Sequence, residues 1–93
     1  MPRRKPKRDT AERPIVDALR ALGATVAQLD DANVPDLLVG FRGVNYLLEV
    51  KTGKYGKLEP GQAEWHQSWC GQTATVKTVE EALAVLFSPD DTN

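Results

Sequence analysis

Two apolar segments separated by two residues constrain the fold of this chain more than any other feature. PDLLVGF and VNYLLEVK flank Arg42-Gly43, and this pattern predicts a β-hairpin with a tight turn. The near-continuous apolar character predicts strands that are buried on both faces for most of their length. Three charged residues nevertheless stand in these strands: Asp36, Glu49 and Lys51. Buried charges are costly unless they are paired or bound to an ion, so these residues suggest a functional site.

The remaining chain alternates between helical and extended patterns. The predicted order is a helix at 11–22, strands at 24–29, 35–41 and 44–51, a helix at 60–70, a strand at 73–77 and a helix at 78–87. Thr10 or Asp9 is expected to cap the first helix and Gly23 to end it, while Thr78 and Glu81 form a capping-box pattern for the last. The order αβββαβα predicts an α/β domain with a four-stranded mixed sheet and helices on both faces.

Charge is distributed unevenly along the chain. Five basic residues lie within the first eight positions, whereas positions 9 to 93 carry seven basic and thirteen acidic side chains. We predict a disordered basic arm at 1–9, a folded domain at 10–88 and a disordered tail at 89–93. The arm either holds a polyanion or only increases solubility. Its candidate nucleic-acid-binding residues are Arg3, Arg4, Lys5, Lys7 and Arg8.

Composition excludes several classes of protein. With a single cysteine, Cys70, and a single histidine, His66, the chain forms no internal disulfide framework and no Cys- or His-rich metal centre. No apolar segment follows the basic N-terminus, and no apolar run reaches the length of a membrane span. We therefore expect a soluble, cytoplasmic protein without a signal peptide or membrane association, located in the host cytoplasm if it is encoded by a phage.

The charged residues of the hairpin form the principal candidate site. Because side chains alternate along a strand, Glu49 and Lys51 share one face while Leu48 and Val50 point into the core. Counting from the turn places Asp36 beside Glu49 on the neighbouring strand. Two adjacent carboxylates need a positive charge between them, supplied by Lys51 or by a divalent cation. Oxygen ligands without thiols or imidazoles favour Mg²⁺ or Mn²⁺.

These motifs resemble the PD-(D/E)xK nuclease core, and more narrowly the small stand-alone VRR-NUC domains found in phages. The resemblance rests on Pro35-Asp36, the hairpin, Glu49-Val50-Lys51, a loop ending at Gln62, a helix and the spacing from Gly71 to Val76, and it covers positions 10 to 87. It implies a restriction-endonuclease-like αβββαβα fold. Asn33 stands where the family usually has glycine, and asparagine tolerates the same left-handed backbone.

The family's functional residues map onto this chain one by one. The resemblance implies that Asp36 and Glu49 hold the metal with the Val50 carbonyl as a third ligand, and that Glu12 lies near it. It implies that Lys51 is the catalytic lysine and that Gln62 faces the site. On the loop after the catalytic strand, Lys54 and Lys57 are expected either to bind the DNA backbone or to be solvated.

Other residues favour structural roles. Gln62, His66 and Trp69 share a helical face, but His66 is expected to be a partly exposed helix residue. Trp65 and Trp69 favour packing or a dimer interface over base stacking, and Cys70 favours burial.

The sequence thus predicts a divalent-metal-dependent DNA endonuclease, with branched DNA such as a four-way junction, or duplex DNA, as substrate and with a homodimeric assembly. A non-catalytic DNA-binding module that uses the basic arm and loop lysines is the alternative. A sequence-specific restriction-type enzyme is disfavoured, because the chain is too short for a separate recognition domain.

Overall fold

The hairpin lies in the middle of a single sheet. A computed structural model describes residues 10–52 and 57–88; the predicted arm (1–9) and tail (89–93) lie outside these residues. The elements are α1 (Glu12–Leu22), β1 (Thr25–Gln28), β2 (Leu37–Phe41), β3 (Val44–Val50), α2 (Pro60–Ser68), β4 (Ala74–Val76) and α3 (Val79–Phe87). The predicted αβββαβα order is confirmed. Within the two described ranges, no helix is long and apolar enough to cross a membrane.

The sheet is mixed, as predicted. Its strand order is β1-β2-β3-β4, with β1, β2 and β3 antiparallel and β4 parallel to β3. A parallel neighbour requires a crossover connection, and α2 lies within that connection. The two longest strands are therefore central, and the end of β3 is paired on both sides.

A two-residue turn sets the register of the hairpin. Arg42 and Gly43 both have positive φ angles, of 55° and 79°, as a type I′ turn requires. Phe41 consequently faces Val44, and the ladder continues to Leu37 opposite Leu48. Because a shift of one residue would reverse every side chain, this register decides which residues face the core.

Helices α1 and α3 cover one face of the sheet and enclose the core. The core residues are Ile15, Val16, Leu19, Ala24, Leu37, Val39, Leu48, Val50, Val76, Ala82 and Leu86. Helix α2 lies across the opposite face, because Gln62 contacts Glu49, which points away from the core. Helices thus flank both faces.

The prediction that the hairpin is buried on both faces was wrong for its turn-proximal half. Val44 is 48% exposed, Asn45 is also exposed, and Leu38, farther from the turn on the same face as Asn45, is 39% exposed. The face that carries Glu49 is closed near α2, where Gln62 contacts Glu49. Burial of polar side chains on this face is therefore concentrated around Asp36 and Glu49.

Helix ends follow the predicted signals with one exception. Gly23 ends α1 with a φ angle of 107°, and the Thr78 hydroxyl accepts a 3.0 Å hydrogen bond from the Glu81 N–H. The prediction that Thr10 caps α1 was wrong: Ala11 is the N-cap and makes no side-chain cap bond. The Thr10 hydroxyl lies instead 3.4 Å from that of Thr52. Asp9, the other predicted cap, lies outside the described residues.

Candidate active site

Asp36 and Glu49 occupy the same level of the β2–β3 ladder. Leu37 pairs with Leu48, so the next position outward places Asp36 opposite Glu49. This is a non-hydrogen-bonded position of the antiparallel ladder, where facing side chains approach most closely. Both carboxylates are buried, at 6% and 1% exposure. The hairpin therefore brings two acids to one site on the face opposite the core.

The Asp36 side chain completes the ladder at its open end. Its Oδ2 accepts a 2.8 Å hydrogen bond from the Val50 N–H, and its backbone carbonyl accepts a 2.8 Å bond from the Leu29 N–H. One residue is thus held between β1 and β3. The carboxylate is consequently fixed at the Glu49–Val50 peptide and does not rotate freely.

Glu49 contacts side chains from two elements. Its Oε2 accepts a 3.0 Å hydrogen bond from the Gln62 amide and lies 3.9 Å from the Lys51 ammonium. The Gln62 Oε1 in turn accepts a 2.9 Å bond from the Glu59 N–H at the start of α2. The glutamine therefore fixes the first turn of α2 to the end of β3.

His66 is a partly exposed residue of α2, as expected, and it also contacts this group of side chains. Its side chain is only 12% exposed, its Nε2 lies 4.0 Å from Glu49 Oε1, and its Nδ1 is 3.2 Å from the Thr73 hydroxyl. Burial lowers the pKa of His66 below its ordinary value of 6.5, which favours the neutral ring at pH 7. The spacing of Gln62 and His66, four residues apart on a helix, was the sequence signal for this position.

The bond between Gln62 and Glu49 leads to a stability prediction. We expect Gln62→Ala to lower the free energy of unfolding by about 1–3 kcal/mol, because a buried carboxylate loses a donor and α2 loses its attachment. Gln67→Ala, on the exposed side of the same helix, is the matched control and should change it by less than about 0.5 kcal/mol. Urea denaturation measures both. Equal values for the two variants would contradict the anchoring role of Gln62.

Glu12 is buried in the first turn of α1. Its Oε2 accepts a 2.7 Å hydrogen bond from the Gln28 amide. Within residues 10–52 and 57–88, no three Asp, Glu, His or Cys side chains are grouped so that they could hold a metal together. The role of Glu12 near a metal therefore stays a prediction.

Asn33 contributes by packing and not by a left-handed backbone. Arg42 is the only non-glycine residue with positive φ in the described part of the chain. A methyl group added at Gly61 would lie 2.6 Å from the Asn33 Oδ1. The loop before Asp36 therefore packs closely against the first turn of α2.

The other predicted positions are exposed or lie outside the described residues. Lys57 is exposed just before α2. Lys54 and the five arm residues Arg3, Arg4, Lys5, Lys7 and Arg8 fall in segments the structure does not describe. The expectation of a buried Cys70 was wrong, since this thiol is exposed. It follows the end of α2, where the chain leaves the helix.

The fold has a known counterpart. A solved chain described as "VRR_NUC domain" matches it with a TM-score of 0.70 at 24% sequence identity, and the match covers 85% of this chain and 94% of the other. No family model and no curated protein matches the sequence. The structural match confirms the α/β fold and, at the level of the fold, the resemblance to VRR-NUC domains that the motif residues indicated.

Proposed function

We propose that this protein is a divalent-metal-dependent DNA endonuclease of the PD-(D/E)xK type. The observation that carries the proposal is the coincidence of Asp36 and Glu49 at one ladder position with Lys51 beside them. Asp36, Glu49 and Lys51 are the charged residues of the PD-(D/E)xK motif. The two-residue turn of the hairpin sets the register that places Asp36 opposite Glu49. The VRR-NUC fold of the chain agrees with this chemistry.

The charge and donor atoms of the group suit a hard cation. Asp36 and Glu49 bring two negative charges, Lys51 brings one positive charge, and His66 is neutral. The group as a whole stays negative and offers carboxylate oxygens. Mg²⁺ and Mn²⁺ prefer such oxygens, and a site with few protein ligands leaves room for water and phosphate.

The backbone of Val50 supports its role as a third ligand. N–H and C=O of one strand residue point to the same side, and the Val50 N–H points to Asp36. The Val50 carbonyl therefore faces the same side. The residue across the ladder at this level is Pro35, which has no N–H to donate to that carbonyl. Asp36 thus supplies a carboxylate. Pro35 supplies no N–H to the Val50 carbonyl across the ladder.

The chain's own groups would act on the phosphodiester as follows. Asp36, Glu49 and the Val50 carbonyl would hold the cation, which when bound polarises a phosphate oxygen and lowers the pKa of a water. Lys51, on the same face as Glu49, would stabilise negative charge that develops on the attacked phosphate. Gln62 would keep the Glu49 carboxylate oriented through its 3.0 Å hydrogen bond.

Branched DNA and a homodimer complete the proposal. Two copies related by a two-fold axis would present two sites, which matches the approximate two-fold symmetry of a four-way junction. The basic arm and the loop lysines Lys54 and Lys57 would bind phosphates, a contribution that weakens as salt rises.

Cleavage by wild-type protein and a Lys51→Ala variant tests the assignment. With Mg²⁺ or Mn²⁺, we expect the wild type to cut a labelled four-way junction faster than a linear duplex, and EDTA to stop cutting. Lys51→Ala should lower the rate by about 10²–10³-fold, because it removes a charge aimed at the transition state. Gel analysis of labelled strands gives the rates.

Arg13→Ala is the control and should cut normally, since the Arg13 side chain is 86% exposed on α1, which covers the opposite face of the sheet. Asp36→Asn, which keeps the shape of the side chain, should be as inactive as Lys51→Ala. Metal-independent cutting, or normal cutting by both site variants, would refute the proposal. Binding without any cutting would favour the non-catalytic DNA-binding module.

A further inference from the structure

Both tryptophans of the chain form one stacked pair. Trp65 and Trp69, here called the tryptophan pair, have ring centroids 4.7 Å apart and planes inclined by 15°. Trp65 is half-buried, whereas Trp69 is 44% exposed. A parallel pair of indoles with an exposed outer member is an aromatic surface that solvent does not favour, so it suggests a ligand.

The backbone after α2 holds Trp69 in place. A methyl group added at Gly71 would lie 2.8 Å from the indole Nε1 and 3.4 Å from Cε2. Glycine at this position lets the edge of the ring lie against the main chain. The indole is therefore fixed by Trp65 on one side and by residue 71 at its edge, which reduces the entropy lost when a flat ligand binds.

The pair lies beside the candidate active site. The Trp65 and His66 rings meet edge to face with centroids 5.5 Å apart, and His66 Nε2 lies 4.0 Å from Glu49 Oε1. Glu49 is therefore linked to the tryptophan pair through one intervening side chain, that of His66.

We propose that the exposed surface of the tryptophan pair stacks on an unpaired nucleobase of the DNA held at the Asp36–Glu49 site. This inference rests on the proposed nuclease function and adds a substrate feature to it. A base within continuous duplex has both faces covered by its neighbours, whereas a base at a branch or in a single strand has a free face. Aromatic stacking binds any such base regardless of sequence.

The surroundings of the pair favour a base over a second copy of the chain. Apart from Pro60 at the start of the helix, the exposed residues of α2 are polar: Glu64, Gln67 and Ser68. A stable protein interface buries about 800 Å² on each partner around an apolar centre. The exposed aromatic surface of the tryptophan pair is flat, is surrounded by polar residues and is about the size of one base.

Tryptophan fluorescence tests the inference directly, because the chain has no other tryptophans. We expect a forked DNA with unpaired arms to quench the emission in EDTA, and a continuous duplex of equal length to quench it little. Trp69→Ala should weaken binding of the fork by about 5- to 100-fold while changing duplex binding less than about twofold. Trp69→Phe should recover most of the affinity for forked DNA that Trp69→Ala loses.

Two further variants separate stacking from general damage. Gly71→Ala keeps both indoles but displaces the ring, so fork binding should fall while duplex binding persists. Leu22→Ala, an exposed apolar residue on α1, should bind both DNAs normally. Thermal melting of each variant verifies that it is folded, and sedimentation gives its oligomeric state.

Several results would overturn the inference. These are equal effects of Trp69→Ala on fork and duplex, no effect on either, no binding of forked DNA by the wild type, or conversion of a dimer to monomers with unchanged fork affinity. The last would identify the pair as a dimer contact. Since binding is measured in EDTA, fork-specific stacking by a protein that never cuts would refute the nuclease proposal alone.

Discussion

Glu49→Gln is expected to reduce DNA cleavage by at least about 10²–10³-fold while the protein stays folded. Glutamine has the shape of glutamate but no charge. The side chain at this position is 1% exposed, accepts a hydrogen bond from Gln62 and lies 3.9 Å from the Lys51 ammonium. The neutral amide removes one of the two negative charges proposed to hold the cation.

A second measurement separates loss of metal from loss of structure. Calorimetric titration with Mn²⁺ should show weaker binding by Glu49→Gln than by the wild type, whereas DNA binding in EDTA should be retained, because a negative charge near the phosphates has been removed. Glu64→Gln, on the exposed side of α2, is the matched control and should leave metal binding and cleavage unchanged. Wild-type cleavage by Glu49→Gln would disprove the role of this carboxylate.

Leu19→Ala is expected to destabilise the fold by about 3–5 kcal/mol. Leu19 is 0% exposed and packs in the core beneath the sheet. Truncation removes buried apolar surface and leaves a cavity that the neighbouring side chains only partly fill. Domains of this size have a total stability of about 5–15 kcal/mol. The melting temperature should therefore fall by more than about 10 °C.

Leu22→Ala supplies the comparison within the same helix. Leu22 is 38% exposed at the last turn of α1, so its truncation should cost less than about 1 kcal/mol. Thermal and urea unfolding of both variants measure the difference. Similar losses for the two positions would show that the apolar stripe of α1 does not face the core as described.

The fold was predictable from sequence because its main signals are local. The turn at Arg42-Gly43 and the alternation of side chains define the register of the hairpin, and helix-ending signals such as Gly23 define the limits of the helices. The sequence-based predictions were wrong where the cap of a helix or the burial of a strand face depends on residues distant in sequence. Thr10 does not cap α1 and contacts Thr52 instead, and Leu38 is 39% exposed on a face that was predicted to be buried.

The candidate site likewise has a part that the sequence predicts and a part that depends on tertiary contacts. The position of Asp36 opposite Glu49, and of Lys51 on the same face as Glu49, follows from counting along a ladder. The placement of His66 near Glu49 does not, because it depends on how α2 docks. That helix has no continuous apolar stripe to specify its orientation, and the Gln62 and Asn33 contacts that orient it join residues far apart in sequence.

The amino-acid sequence alone therefore determined the hairpin, its register and the two acids that this register brings together, since a period of two and a two-residue turn leave one arrangement. Only the tertiary structure decided which side chains surround those acids and left Trp69 stacked and exposed beside them. The physical reason is that docking of α2 depends on the Gln62–Glu49 hydrogen bond and on close packing of Asn33 at Gly61, and neither contact is encoded in local periodicity.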